Sequence, residues 1–472
     1  MNYVGTARPI HDAKGKATGY SKYAGDISLP NMAYLCMLHS KIPHGYVKAV
    51  HAEKALALPG VYGVYHCLNT TDRKYNRYRS NFDQSYLPNE ECAFNDYVRF
   101  VGDKIGVVAA CDQETAERAA RLVEVEYEEL PFSIGFDDTL AGKNCLDGET
   151  PVRDEYELEV GEKQGSAEGL IEVCSTMELP RLHHATMETH ACIADYDPYS
   201  DMLTVYCPNQ AVHGIRTVLA DFLEMPESHV RVVKATMGGS FGAKQEWFLE
   251  PVTALVAKKL CRPVKLVYSR GEAMTDTIVR GAMRMSARGY YMPDGEMKEI
   301  YCDVTLDAGA YIGNAGDYVR ALAGKPTRCY RIPYMHYHGQ VISSNSPVSG
   351  AFRSWSAAEE ALMMERQLDA AAEKLGMDRL AIRLKNVARS GEEDKKLRLS
   401  LEDIRIGDAI TLGSEKFGWD KLKAEDAAFN ASQQRYRRGV GIGIGGHGNT
   451  YFPRFNDYGE GSISLNADGS MQ

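Results

Sequence analysis

The sequence predicts an α+β protein. Three observations carry that expectation. Stretches with the 3.6-residue period of helices alternate with stretches of the two-residue period of strands. Glycine-rich turns fall where one kind of stretch gives way to the other. The 472 residues, 44% hydrophobic and 25% charged, have an ordinary globular composition and suffice for about three domains, each able to bury a core without disulfide or metal staples.

Residues 1–135 read as a first mixed unit. Asp112 is placed to cap a helix through Glu114, Ala116, Ala119 and Ala120; Val123, Val125 and Tyr127 then alternate with Glu124, Glu126 and Glu128 as in a half-buried strand. Residues 136–172 turn polar and glycine-rich (Gly142, Gly148, Gly161, Gly165, Gly169) and are expected to form a connecting segment. A second, larger unit is expected over 173–430. In it Ile215, Val218, Leu219, Phe222 and Leu223 share a helix face, Val230, Val232 and Val233 suit a strand, and a glycine turn follows at Gly238, Gly239 and Gly242. A helix from near Glu250 to Leu260 tolerates Pro251 in its first turn, and Val264–Tyr268 suits a strand. Met283–Tyr291 and Met297–Leu306 flank Pro293-Asp294-Gly295, a hairpin signal. Ala361, Met364, Leu368, Ala371 and Leu375 form a helix stripe ended by Gly376, and Asp378 caps the next helix. Lys421–Arg438 reads as a polar linker. Residues 431–472 then look like the start of a further domain: Gly439–Gly445 is a glycine-alternating strand, and Gly461–Leu465 leads into the turn Ala467-Asp468-Gly469. The returning strand of that hairpin would begin where the sequence stops, so the expectation is a front part of something longer, or a piece completed by a second chain.

Composition excludes several function classes. The net charge of −10, without a basic block, argues against nucleic acid, whose phosphates need clustered Lys and Arg. There is no apolar run of about 18 residues to span a membrane. The first ten residues lack the apolar core of a secretory signal, so the expected location is cytoplasmic. Eleven cysteines are scattered singly without any C-x-x-C; they are expected to be small buried residues rather than a disulfide, zinc or iron–sulfur framework. Redox chemistry here would be carried by another group.

The stretch richest in chemical information is Thr236-Met237-Gly238-Gly239-Ser240-Phe241-Gly242-Ala243-Lys244. A strand delivering a glycine turn into a helix exposes backbone N–H groups beside a positive helix end, which suits an anionic phosphate or pterin-type cofactor. It is neither G-x-G-x-x-G nor a P-loop, and by itself it reads first as a tight strand-to-helix turn. A nucleotide-binding protein using this turn is one alternative.

Several stretches in order resemble one family. They are Lys16-Ala17-Thr18-Gly19, Ile42-Pro43-His44-Gly45, Leu58-Pro59-Gly60-Val61 and Val98–Asp103, followed by His184–His190, Pro208-Asn209-Gln210, the glycine turn, Leu306–Tyr311, Ser349–Arg353 and Ile382–Asn386. Together they resemble the molybdopterin-binding subunit of xanthine dehydrogenase and its relatives, the molybdenum hydroxylases, over nearly the whole chain. The resemblance implies an N-terminal α/β hammerhead domain, a first molybdopterin-binding α/β domain and the start of a second. It implies a molybdenum–molybdopterin cofactor, with a cytosine dinucleotide form among the options, and hydroxylation of an electrophilic carbon of a purine, N-heterocycle or aldehyde with water-derived oxygen. Electrons would pass to 2Fe-2S and FAD groups on an iron–sulfur subunit and a FAD subunit, with a second molybdopterin-binding chain as a further partner. By match to the family pattern, Gln210, Phe241 and Arg353 would lie near molybdenum without ligating it, and Gly239, Ser240 and Gly242 would complete the cofactor cradle. Gln245 and Arg320 would face substrate. In isolation Gln210, Phe241 and Arg353 would read as a surface amide, a core aromatic and a solvated arginine. The family's general-base glutamate is expected beyond Gln472, which leaves no catalytic residue in this chain; alone, it is expected to be inactive. Ser354-Trp355-Ser356 stands where the family has Gly, an aromatic and Gly. Those serines would forbid a positive φ the cofactor loop needs, which supports the alternative of a degenerate paralogue serving as scaffold.

Overall fold

The computed structural model describes residues 4–78, 87–146, 148, 150–163, 165, 168–432, 435–448 and 461–471. Two sheets organise the chain. The larger has seven strands in the order Val230–Lys234, Met202–Cys207, Ala191–Asp197, Val264–Val267, Ala33–His39, Lys104–Ala110 and Val61–His66. Its last three strands come from the first unit and its first four from the second. The join is a parallel pairing of Ala33 with Val264 and Leu35 with Leu266, all four residues buried. Every residue of Lys104–Ala110 is buried, as expected for a strand covered on both faces. Helix Glu250–Leu260 covers the other half of the sheet, and its residues from Glu250 to Ala257 are all buried. Helix Val212–Leu223 packs beside it.

The second sheet has five strands in the order Ile171–Leu179, Ala282–Tyr291, Met297–Gly309, Tyr334–Ser343 and Val152–Gly161. Helix Ala357–Leu375 lies against it through Met363, Met364, Leu368 and Ala371. The hairpin at Pro293-Asp294-Gly295 forms as expected: Gly295 takes a left-handed φ of 88° and its N–H donates to Met292 O at 2.9 Å.

Four expectations need correction. The stretch 136–172 is more than a connection, because Val152–Gly161 is the edge strand of the second sheet, antiparallel to Tyr334–Ser343, and Phe136–Leu140 is a short helix. Its inward residues Tyr156, Leu158 and Val160 alternate with Glu155, Glu157 and Glu159 on an exposed face. The polar segment after Lys421 lies within a helix, Trp419–Ser432. Gly439–Gly445 is non-strand backbone, its glycines exposed and Val440, Ile442 and Ile444 half-buried, the two isoleucines against the core of the second sheet, because no strand among the described residues pairs with it; the turn at Ala467-Asp468-Gly469 does form, with a bridge between Leu465 and Met471. Residues 433, 434, 449–460 and 472 of that last stretch lie outside the described residues. All eleven cysteines are free, but only Cys92, Cys192, Cys207, Cys302 and Cys329 are buried, while Cys111, Cys174 and Cys261 are exposed. Among the described residues no helix is long and apolar enough to cross a membrane.

Candidate cofactor-binding site

The glycine turn follows strand Val230–Lys234 at one end of the larger sheet. No helix follows it directly: residues 241–246 continue as turns and bends, and the next helix begins at Glu250. A helix dipole therefore does not aim at the turn. The backbone itself makes the anion site. Phe241 takes a left-handed φ of 53°, and the successive N–H groups of Gly239, Ser240, Phe241 and Gly242 have no acceptor among the described residues. Such a run of N–H groups forms a concavity for an anion.

Three distant segments meet at this turn. Gln210 N–H donates to Lys244 O at 2.8 Å, while its Oε1 accepts from Ser240 Oγ at 3.1 Å. Arg353 N–H donates to Phe241 O at 2.8 Å. Gly242, at φ 103°, allows the closest approach, since a Cβ there would stand 2.4 Å from Ala351 O. The structure thus brings Gln210, Gly239–Gly242 and Arg353 to one place. Phe241 is 48% exposed rather than a core aromatic. The Arg353 side chain is exposed and makes no ion pair among the described residues. Gln245 follows on the same loop, half-buried. Arg320 is engaged elsewhere: both of its terminal nitrogens reach Asp154 at 2.8 Å on the edge strand of the second sheet.

Residues around the turn fix both loops. His184 Nε2 bonds Ala351 O at 2.8 Å and His190 Nε2 bonds Ala243 O at 2.9 Å. Burial lowers both imidazoles to about 4, so near neutral pH each is uncharged and donates to a carbonyl of one loop. Glu188 accepts from Gly238 N–H at 2.6 Å and from the buried Lys244 ammonium. Arg280 stacks 4.2 Å from the Phe352 ring centroid, donates to Arg353 O at 2.9 Å and pairs with Glu359 at 3.0 Å. The sequence marks the histidines only as part of a family stretch, and gives no local signal for Arg280 or Glu359; the roles of these two arise from contacts between residues 72 to 79 positions apart in the chain.

Beyond Arg353, the left-handed backbone is present despite the missing glycines. Ser354, Trp355 and Ser356 have φ of 85°, 37° and 62°. Each such non-glycine residue costs roughly 1–2 kcal/mol, so the turn is over-determined by its surroundings. Trp355 N–H donates to Phe352 O at 2.9 Å and Ala357 N–H to Ser354 O at 3.0 Å. The Lys325 ammonium donates to Trp355 O, and the Trp355 ring packs on Tyr318 with centroids 5.1 Å apart. The expectation that serines forbid this geometry is therefore corrected: the geometry forms, under strain.

These residues fit an anionic, oxygen-rich group. The four N–H groups can receive anionic oxygens, the Gln210 amide N–H₂ has no partner among the described residues, and Arg353 supplies an unpaired positive charge. Among the described residues no group of three His, Cys, Asp or Glu could hold a metal ion.

Fold and site together define a hammerhead domain fused by a shared sheet to a cofactor-binding α+β domain. Residues 18–131 match the aldehyde oxidase and xanthine dehydrogenase a/b hammerhead domain, and residues 150–387 match the molybdopterin cofactor-binding domain. The chain belongs to this molybdopterin-binding family, that of the xanthine dehydrogenase-type molybdenum hydroxylases. It is 29% identical over 473 residues to the xanthine dehydrogenase molybdenum-binding subunit of Escherichia coli O157:H7, covering 98% of this chain and 61% of that one. It is 30% identical over 384 residues to the nicotinate dehydrogenase large molybdopterin subunit of Eubacterium barkeri, covering 80% and 88%. Its fold superposes on the aldehyde oxidoreductase of Desulfovibrio desulfuricans with a TM-score of 0.87 at 22% identity, covering 99% of this chain and 52% of that one. The chain thus spans only part of the length of most of these proteins.

Proposed function

We propose that this chain holds one side of a molybdenum–molybdopterin cofactor in a hydroxylase acting on a purine, N-heterocycle or aldehyde. The observation that carries the reading is the meeting of the N–H concavity at Gly239–Gly242 with the Gln210 amide and with the Arg353 guanidinium, which makes no ion pair among the described residues. In this reading the concavity and Arg353 bind anionic oxygens of the cofactor, Gln210 donates its amide N–H to an oxygen at the metal centre, and the half-exposed Phe241 ring walls the site against water. When bound, the cofactor supplies two-electron oxidation. Gln245, on the same loop, faces the substrate side. Arg320 is tied to Asp154 and orients the sheet edge instead. A second molybdopterin-binding part, continuous with this chain or separate, closes the cleft and provides the general base; an iron–sulfur subunit and a FAD subunit carry the electrons away in the cytoplasm. The names of the similar proteins, which include a xanthine dehydrogenase molybdenum-binding subunit and a large molybdopterin subunit, support this class.

The test is molybdenum and pterin analysis of the complex purified from molybdenum-sufficient cells. Near-stoichiometric metal and pterin are expected, with both lost in Gly239→Asp and reduced in Arg353→Ala. A metal-free and pterin-free complex refutes the reading and favours the alternative of a scaffold.

A further inference from the structure

Glu246 is 1% exposed, yet it touches every segment that builds the site. Its backbone carbonyl accepts from Asn209 Nδ2 at 2.8 Å, next to Gln210. Its side-chain Oε1 accepts from Ala351 N–H at 3.0 Å, two residues before Arg353, and from Asn314 Nδ2 at 3.4 Å. It also follows the glycine turn directly in the chain. Gly350 makes the approach possible, because a Cβ there would stand 2.3 Å from Glu246 Oε1.

Two polar atoms at this junction lack partners: Glu246 Oε2 and Asn314 Oδ1. Both are acceptors while the carboxyl is ionised. A proton on Glu246, donated to the neighbouring amide oxygen, would give each a partner and remove the cost of two unsatisfied buried atoms. Burial favours that proton, raising the carboxyl to about 7 against the opposing pull of Arg77. Glu91 also faces it across the same network. His190, Lys244 and Glu250 line the same small cavity, of about 10 Å³, which is room for one water at most.

We propose that Glu246, carrying a proton, is the positioning residue that sets the Ala351–Arg353 loop against the Phe241 turn. The inference rests on the proposed function only in that these two loops flank the cofactor. It is tested on the full chain by amide hydrogen exchange, without metal. In Glu246→Ala, exchange over 350–353 should quicken by at least about tenfold, while strands Lys104–Ala110 and Met297–Gly309 keep their protection. Glu246→Gln should retain the wild-type protection, because its amide can both accept from Ala351 N–H and donate to Asn314 Oδ1. Gly350→Ala should loosen the same loop from the other side. Equal loss in Glu246→Gln and Glu246→Ala, or no loss in either, overturns the proposal. Since exchange needs no cofactor, failure here is distinct from a metal-free complex.

Discussion

Ser356 is completely buried, and a buried position ordinarily loses stability when its side chain is removed. Ser356→Gly should do the opposite. The residue sits at φ 62°, where glycine escapes a strain of roughly 1–2 kcal/mol. Its Oγ has no hydrogen-bond partner, and relieving a buried unpaired hydroxyl is worth about 1–3 kcal/mol. It precedes helix Ala357–Leu375 without making a side-chain cap bond, so no cap is lost. Against these gains stand the greater freedom of glycine in the unfolded chain, about 0.5–1 kcal/mol, and the lost packing of one small group, about 0.8 kcal/mol. The balance favours the variant by about 2 kcal/mol, the middle of a range from near zero to nearly 4 kcal/mol. Urea unfolding followed by tryptophan fluorescence, to which the adjoining Trp355 contributes, should show the midpoint move up. Ser354→Gly, at a half-buried site, should gain less. A lower midpoint for Ser356→Gly would mean that the left-handed turn is not strained, and the reasoning fails.

Gly242→Ala places a Cβ 2.4 Å from Ala351 O and should cost about 3–5 kcal/mol, with faster amide exchange at Arg353 as the loops separate. Lys104→Met removes the cation between Glu91 at 2.5 Å and Asp276 at 3.7 Å; a buried network broken on one side loses about 3–5 kcal/mol, read as a lower denaturation midpoint. Burial raises Glu360 to about 8 from its ordinary 4.5, so the native state binds more protons between those values and this stability is lost as pH rises from 4.5 to 8. Glu360→Gln should therefore flatten the fall in melting temperature between about pH 7 and 8, where most unfolded histidine is already neutral; an unchanged slope would exclude Glu360 as its source.

Local pattern was legible where one chain segment decides its own structure. Asp112 caps helix Gln113–Ala120 by accepting from Thr115 N–H at 2.7 Å, and Gly376 ends helix Ala357–Leu375 in a left-handed conformation. Elements failed to show where partners decide. The strand Val152–Gly161 has the two-residue period but is glutamate-rich on its open face, and that polarity masked it. Helix Trp419–Ser432 buries only Trp419, so no apolar stripe announced it. Conversely, Gly439–Gly445 has a strand-like alternation without a partner strand among the described residues to receive its hydrogen bonds. At the site, the ordered family stretches pointed to Gln210, Phe241 and Arg353, and the hydrogen bonds at Ser240 and Phe241 bring them together. The polar residues that hold the loops in place, Glu246, Arg280 and Glu359, carry no pattern of their own because each acts across the fold.

The ladder linking Ala33 to Val264 has a mechanical consequence. A boundary drawn near residue 135, natural from the sequence, would pull apart neighbours in one hydrogen-bonded sheet and leave a bare strand edge on each fragment, an invitation to aggregate. The two lobes should melt together, and any tug on the front lobe is carried along the backbone ladder toward the strands that bear Gln210 and the glycine turn.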